Sequence, residues 1–101
     1  MVKTSDENIS TVVQQIANIR QELTERFTVK RIGVFGSFAR GDNRFESDVD
    51  IIVEFDQPTF DHYMDLKFHL EAVFHRSVDL VMADTLKPRL KSIVEREIIY
   101  A

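Results

Sequence analysis

Apolar residues recur every three or four positions through the first quarter of the chain. This spacing predicts an amphipathic helix over residues 5–26, with Thr4 and Glu7 forming a capping box at its start. We expect the helix to lie on a sheet rather than to bind a partner. Its apolar face consists of Ile9, Val12, Val13, Ile16, Ile19, Leu23 and Phe27.

Three short apolar runs predict β-strands, because each is rich in β-branched residues and is bounded by polar or turn residues. They cover residues 32–35, 47–53 and 77–81. The break at residues 56–59 contains Pro58 and separates the second run from the helix that follows.

That second long helix carries four aromatic residues that cannot share one narrow stripe: Phe60, Tyr63, Phe68 and Phe74. Either its apolar stripe is wide or some of these rings are exposed. An exposed apolar patch on a small domain would mark a contact with another protein.

The last predicted helix covers residues 87–96 and begins near Pro88, a residue well suited to the first helical turn. We expect Leu90, Ile93 and Val94 to point inward. Residues 98–100 then predict a short terminal strand or a docked tail.

The order of these elements predicts an α/β fold in which a small mixed sheet is covered by helices. The chain has 101 residues, of which 44% are hydrophobic, and this is enough for one modest core. We therefore expect a single domain over residues 1–101. No length remains for a second domain that could grip a substrate.

Charge and composition exclude several classes of protein. A formal net charge of −4 argues against holding long nucleic acid, and hence against templated polymerisation. The absence of cysteine excludes disulfides and zinc sites of the cysteine type. With no basic leader segment and no run of 18 apolar residues, we expect a soluble, cytoplasmic protein that does not enter a membrane.

The chemistry of the chain is concentrated just after the first predicted strand. Gly36 and Ser37 allow a sharp turn whose free N–H groups and hydroxyl could hold phosphate. Asp48 and Asp50 are two residues apart on the next strand, so their side chains share one face and repel each other. Because Mg²⁺ binds one or two carboxylates together with phosphate oxygens, the pattern predicts a site for a metal-bound nucleoside triphosphate.

Three histidines offer a competing metal site, but their spacing does not support it. His62, His69 and His75 are separated by seven and six residues, whereas a helical zinc pair uses a spacing of four. We expect them to be ordinary residues of the second long helix.

The motif as a whole resembles the signature of the polymerase-beta-like nucleotidyltransferase superfamily. The chain is most similar to its minimal members, the MNT proteins, many of which are encoded beside a HEPN-domain ribonuclease toxin. The resemblance covers residues 29–81. The residues that carry it are Gly36-Ser37, Arg40-Gly41 and Ser47-Asp48-Val49-Asp50.

The resemblance implies a role for each of these positions and adds a third acid, Asp79. By that likeness Asp48, Asp50 and Asp79 bind two Mg²⁺ ions, or Mn²⁺, and Asp79 also accepts the proton of the incoming hydroxyl. Asp79 can do this only if strand register turns it towards the other two acids. The residues implied to contact the nucleotide are Gly36, Ser37, Arg40 and Ser47.

Arg40 also has a simpler interpretation. In the resemblance its charge would neutralise the departing pyrophosphate, but a surface salt bridge to Asp42 or Glu46 would equally account for an arginine here.

By the same resemblance, the chain is an antitoxin that transfers AMP from ATP to a tyrosine hydroxyl of its partner HEPN toxin. Two alternatives remain open. One is an antitoxin that masks the toxin by binding alone. The other is a small-molecule transferase of the antibiotic-modifying type, which normally needs a further domain or a dimer. A dinucleotide-binding fold is set aside because GxGxxG is absent.

Overall fold

The alternating helices and strands expected from the sequence are present in the computed structural model, which describes residues 8–44 and 47–101. The helices are α1 (Ile9–Asn18), α2 (Arg20–Phe27), α3 (Gly36–Arg40), α4 (Phe60–Phe74) and α5 (Pro88–Glu97). The strands are β1 (Val29–Phe35), β2 (Val49–Phe55), β3 (Val78–Met82) and β4 (Ile99–Tyr100). A single 3₁₀ turn, Ala83–Thr85, follows β3.

The four strands form one mixed sheet in the order β3-β2-β1-β4, which confirms the predicted α/β class. β1 runs antiparallel to β2 and β4, whereas β2 and β3 are parallel. A parallel pair needs a crossover connection, and α4 supplies it. As a result, the end of β1 and the starts of β2 and β3 lie together at one end of the sheet.

One face of the sheet packs against α1, α2 and α4. Alternation along β2 turns Val49, Ile51 and Val53 into this core, so Asp50 and Ile52 belong to the opposite face. The helices contribute buried residues at helical spacing, and Phe38 of α3 closes the end of the core. The helical core residues are Val12, Ile16, Leu23, Phe27, Leu66, Leu70 and Phe74.

The prediction of one continuous helix over residues 5–26 is wrong, because the helix breaks at Ile19. No glycine or proline marks this break. It lets α2 run separately against β1, where the Arg20 side chain donates to the Lys30 carbonyl at 2.8 Å. Thr4 and Glu7, the predicted capping box, lie outside the described residues. The observed cap of α1 is Asn8, whose Oδ1 accepts the Thr11 N–H at 3.0 Å.

The predicted inward face of α5 is also wrong in part. Leu90 and Ile93 are 49% and 48% exposed, and only Val94 is partly buried. The reason is that α5 does not press flat on the sheet. A groove of about 340 Å³ lies between them, and it is lined by Lys91 and Glu95 of α5 and by Ile98 just after it.

Exposed rings on α4 agree with the interpretation that its aromatics do not share one stripe. Phe60 and Phe68 are exposed, whereas Phe74 is buried. Within residues 8–44 and 47–101, every helix is too short or too polar to cross a bilayer.

The C-terminal tail packs closely against β1 at Gly33. A Cβ atom at this position would lie 2.8 Å from Ile98 Cγ2 and 3.1 Å from the Ile99 carbonyl oxygen. The first distance is too short for a real Cβ contact and the second is tight, so glycine favours the close pairing of β4 with β1. The tail in turn carries the end of α5 towards the end of β1.

We predict that Gly33→Val loosens the tail. The added side chain has no space, and overpacking of this kind costs about 1–3 kcal/mol of unfolding free energy. Urea denaturation would measure the loss. Lys30→Val places the same side chain on an exposed position of the same strand and should change stability by less than about 0.5 kcal/mol. Equal stability of Gly33→Val and the unaltered protein would contradict the steric argument.

Candidate active site

Asp50 and Asp79 meet across the parallel pair of strands. They are register partners in β2 and β3, and both belong to the sheet face opposite the core. The two carboxyl groups are close enough for the negative charge of Asp79 to act on Asp50. The register condition on Asp79 is therefore met. Asp48 lies just before β2, is exposed, and is close enough for its charge to act on Asp50.

The environment of Asp50 disfavours its charged form. Partial burial is the largest cause, followed by the negative charges of Asp79 and Asp48, while the positive charge of Arg40 opposes them. Together these effects raise the pKa of the Asp50 carboxyl from 3.8 to about 6. A proton or a bound cation would reduce the repulsion between these carboxylates.

Gly36 brings the turn after β1 directly against this acid. Its φ is +75°, and a Cβ atom there would lie 2.0 Å from Asp50 Oδ2. Only glycine tolerates both the backbone conformation and the contact. The predicted turn and the predicted acids are thus adjacent in space.

The short helix α3 follows the turn and is held at both ends. Phe38 anchors it in the core, and the Ser37 carbonyl accepts N–H groups from Gly41 at 2.9 Å and Asp42 at 3.0 Å. Gly41 has φ +83° and ends the helix. Ser37 itself is half-buried beside Gly36.

Arg40, at the end of α3, forms two ion pairs. Its Nε contacts Asp42 Oδ2 at 3.2 Å, and its Nη1 contacts Glu97 Oε2 at 3.1 Å. Both partners raise the pKa of the guanidinium. The salt bridge to Asp42 that the sequence allowed is therefore present, whereas Glu46 lies outside the described residues. Arg40 also acts electrostatically on Asp50.

Ser47 shapes the loop that leads into β2. Its Oγ accepts the Arg44 N–H at 2.7 Å, and its carbonyl accepts Nη1 of Arg76 at 2.9 Å. These contacts fix the backbone immediately before Asp48. A nucleotide contact by Ser47 stays a prediction.

Glu97 is the site residue that the sequence analysis missed. It is the last residue of α5, and its Oε1 accepts the Gly36 N–H at 3.1 Å. One signal could have identified it: a carboxylate at the C-terminal end of a helix opposes the helix dipole, so it needs compensating contacts elsewhere.

The acids do not form a closed metal site by themselves. Among residues 8–44 and 47–101, no group of three His, Cys, Asp or Glu side chains is arranged to hold a metal ion. Mg²⁺, however, commonly takes one or two protein carboxylates and completes its octahedron with phosphate oxygens and water. Asp50 and Asp79, whose charges are crowded, fit that partial donor set.

The groove beside α5 continues the same sheet face away from the acids. It includes Ile52, the next residue after Asp50 on this face, and then Glu54 and Arg31. Arg31 lies 4.2 Å above the Tyr100 ring. Asp48, Asp50 and Asp79 do not line this groove, and Asp48 and Asp79 are exposed to solvent.

Comparison with known proteins places this geometry in context. The model of the nucleotidyltransferase domain family matches residues 16–101. The protein adenylyltransferase MntA of Thermococcus cleftensis is 45% identical over 82 residues, which is 80% of this chain and 83% of the relative.

Solved structures share the fold. One assigned as a minimal nucleotidyltransferase superposes with a TM-score of 0.78 at 35% identity, covering 95% of this chain and 98% of that one. The MNT antitoxin complexed with a tri-AMPylated HEPN toxin of Shewanella oneidensis has a TM-score of 0.61 at 21% identity, covering 86% of this chain and 69% of that one.

We predict that Asp50→Asn stabilises the protein above pH 6. Because the folded pKa of Asp50 is raised to about 6, the folded state binds its proton more tightly than the unfolded state does. Stability from this group is present below about pH 4 and is lost as the pH rises through 6. An asparagine at this position does not ionise, so the variant does not lose this stability as the pH rises.

The gain should be about 1 kcal/mol at pH 7.5, after allowance for the partial exposure of the site. Urea denaturation of both proteins at pH 4 and pH 7.5 would measure it. Asp65→Asn, on an exposed position of α4, is the control. A gain that is equal at both pH values would contradict the assignment to Asp50.

We also predict that Gly36→Ala damages the site. The new methyl group would strain the backbone and push the Asp50 carboxylate from its place. A loss of about 1–2 kcal/mol in unfolding free energy is expected from the positive φ alone. If denaturation and the NMR signal of the Asp50 carboxyl were both unchanged, the close contact would be refuted.

Proposed function

Because the chain belongs to the nucleotidyltransferase domain family, we propose that it transfers AMP from ATP to a hydroxyl group of a partner protein. The observation that carries the proposal is the pairing of Asp50 with Asp79 beside Gly36. This arrangement places clustered negative charge next to backbone that can approach a phosphate closely.

We assign the parts of the transfer reaction to individual residues. Ser37 and the N–H groups of the turn would hold the β- and γ-phosphates, and Arg40 would offset charge on the pyrophosphate as it leaves. The acceptor hydroxyl would attack the α-phosphorus in line. Its oxygen forms the new P–O bond, the bond to the β-phosphate breaks, and pyrophosphate departs with that electron pair.

Asp79 is the residue that we assign to the proton of the attacking hydroxyl. It is exposed, so an acceptor can reach it, and it is the register partner of Asp50. Asp48 and Asp50 would contribute carboxylate oxygens to the metal ions. The roles differ because Asp50 is partly buried against Gly36, whereas Asp79 faces solvent.

Two Mg²⁺ ions, or Mn²⁺, would be held by Asp48, Asp50 and Asp79 together with the triphosphate. When bound, they would supply charge neutralisation for the phosphates and lower the pKa of the attacking group. The raised pKa of Asp50 supports this, since a cation would relieve the crowding that raises it.

The acceptor is the part of the proposal that rests most on relatives. The Thermococcus cleftensis relative is a protein adenylyltransferase, and solved structures of the same fold include toxin-antitoxin complexes. We infer that this chain modifies a tyrosine of a HEPN-domain toxin encoded beside it. The exposed Phe60 and Phe68 of α4 offer an apolar contact surface.

We predict that the neighbouring HEPN protein gains one or more AMP groups when it is incubated with this chain, ATP and Mg²⁺. Intact-mass spectrometry would detect the gain, and peptide mapping would locate it on a tyrosine. Asp48→Asn combined with Asp50→Asn should reduce transfer by at least about 10²-fold, because the phosphate charges would lack their counter-ions. Chelation of the metal should have the same effect.

Denaturation of the double variant provides the control, since relief of like-charge crowding should leave it at least as stable as the unaltered chain. A variant that unfolds would assign these acids to the fold instead. If toxicity is neutralised but no mass is gained, the chain acts by masking its partner and the transfer proposal is refuted.

A further inference from the structure

A single carboxylate ties the end of α5 to both ends of α3. Glu97 Oε1 accepts the N–H of Gly36, which is 61 residues away in sequence, at 3.1 Å. Its Oε2 receives Nη1 of Arg40 at 3.1 Å. The Glu97 side chain is only 23% exposed, so these contacts are partly shielded from water.

The position of Glu97 is costly unless these contacts are kept. A negative charge on the last residue of a helix opposes the helix dipole, and partial burial adds a loss of hydration. Charge-assisted hydrogen bonds to an N–H group and to a guanidinium are the interactions that can compensate. The negative charge of Glu97 therefore lies against the Gly36 turn and Arg40.

The small helix α3 needs an external support of this kind. It has five residues, too few to be stable alone, and it begins at a glycine with φ +75°. Phe38 secures its buried side. Among the described residues, Glu97 is the side chain whose contacts reach both Gly36 and Arg40 on the exposed side.

The geometry points to Glu97 as a positioning residue for the nucleotide. Resting on the proposed function, the inference is that Glu97 holds the Gly36 turn in its bound shape and orients Arg40 towards the triphosphate. Glu97 and Asp42 engage Nη1 and Nε of Arg40, while neither contacts Nη2. Among the contacts of the described residues, Nη2 is the nitrogen that remains to meet a phosphate oxygen.

Asp42 provides a matched comparison. It forms an ion pair with the same guanidinium, at 3.2 Å, but it is 61% exposed. It accepts no hydrogen bond from Gly36. A difference between variants of Glu97 and Asp42 therefore separates support of the turn from a simple charge effect on Arg40.

The test compares Glu97→Ala, Glu97→Gln and Asp42→Asn. Glu97→Ala should raise the KM for ATP about tenfold with a smaller change in kcat, as expected for the loss of charge-assisted hydrogen bonds. Glu97→Gln should recover part of the loss, because its amide oxygen can still accept the Gly36 N–H. Asp42→Asn should stay within about twofold, as exposed pairs contribute little.

Hydrogen exchange supplies a readout that does not depend on activity. In the nucleotide-free protein, amides of α3 should exchange faster in Glu97→Ala than in the unaltered chain, and Asp42→Asn should leave them unchanged. Calorimetry should show that ATP with Mg²⁺ binds Glu97→Ala more weakly than Glu97→Gln, and Glu97→Gln more weakly than Asp42→Asn. If Glu97→Ala is poorly folded by urea denaturation, Glu97→Gln carries the comparison.

Three results would be decisive against the inference or separate it from the proposed function. Unchanged exchange, affinity and KM in both Glu97 variants would overturn it. A lower KM in both would also overturn it, because Glu97 would then be competing with the phosphates. If the unaltered chain transfers no AMP, yet Glu97→Ala loosens α3 and weakens ATP binding, the positioning role stands and the transfer proposal falls.

Discussion

The contact between Gly36 and Asp50 is the constraint on which the rest of the site depends. A bare α-carbon allows a carboxylate to lie against the turn, at a distance that no side chain would permit. The parallel pairing of β2 with β3 then adds Asp79 next to Asp50. The site thus combines two features in one small volume. Its backbone can approach a phosphate closely, and its acids attract a cation.

The fold maintains this arrangement through its core rather than through the site itself. Val49 and Ile51 flank Asp50 on β2 and are fully buried, and Val78 and Leu80 flank Asp79 in the same way. A one-residue slip would expose these apolar side chains, so their burial fixes the register. The repulsion between the acids is opposed by hydrophobic packing on the other side of the same strands.

Much of this site could be predicted because it depends on local pattern. Alternation predicted that Asp50 faces away from the core, and the short apolar run around Asp79 indicated a neighbouring strand, whereas Asp48, predicted on the strand, lies just before β2. The break at Ile19, the exposed face of α5 and the contacts of Glu97 could not be predicted. Each depends on how distant segments pack, and 61 residues separate Glu97 from Gly36.

The exposed position of Asp79 has a consequence for selectivity. Asp79 faces solvent, and Asp50 and Asp79 lie outside the groove between the sheet and α5. Such a site has no means of rejecting a molecule for being too large. Acceptors must therefore be distinguished by how well their surface fits the surface around the acids. A folded macromolecule can present its reactive group to such a site without first being unfolded.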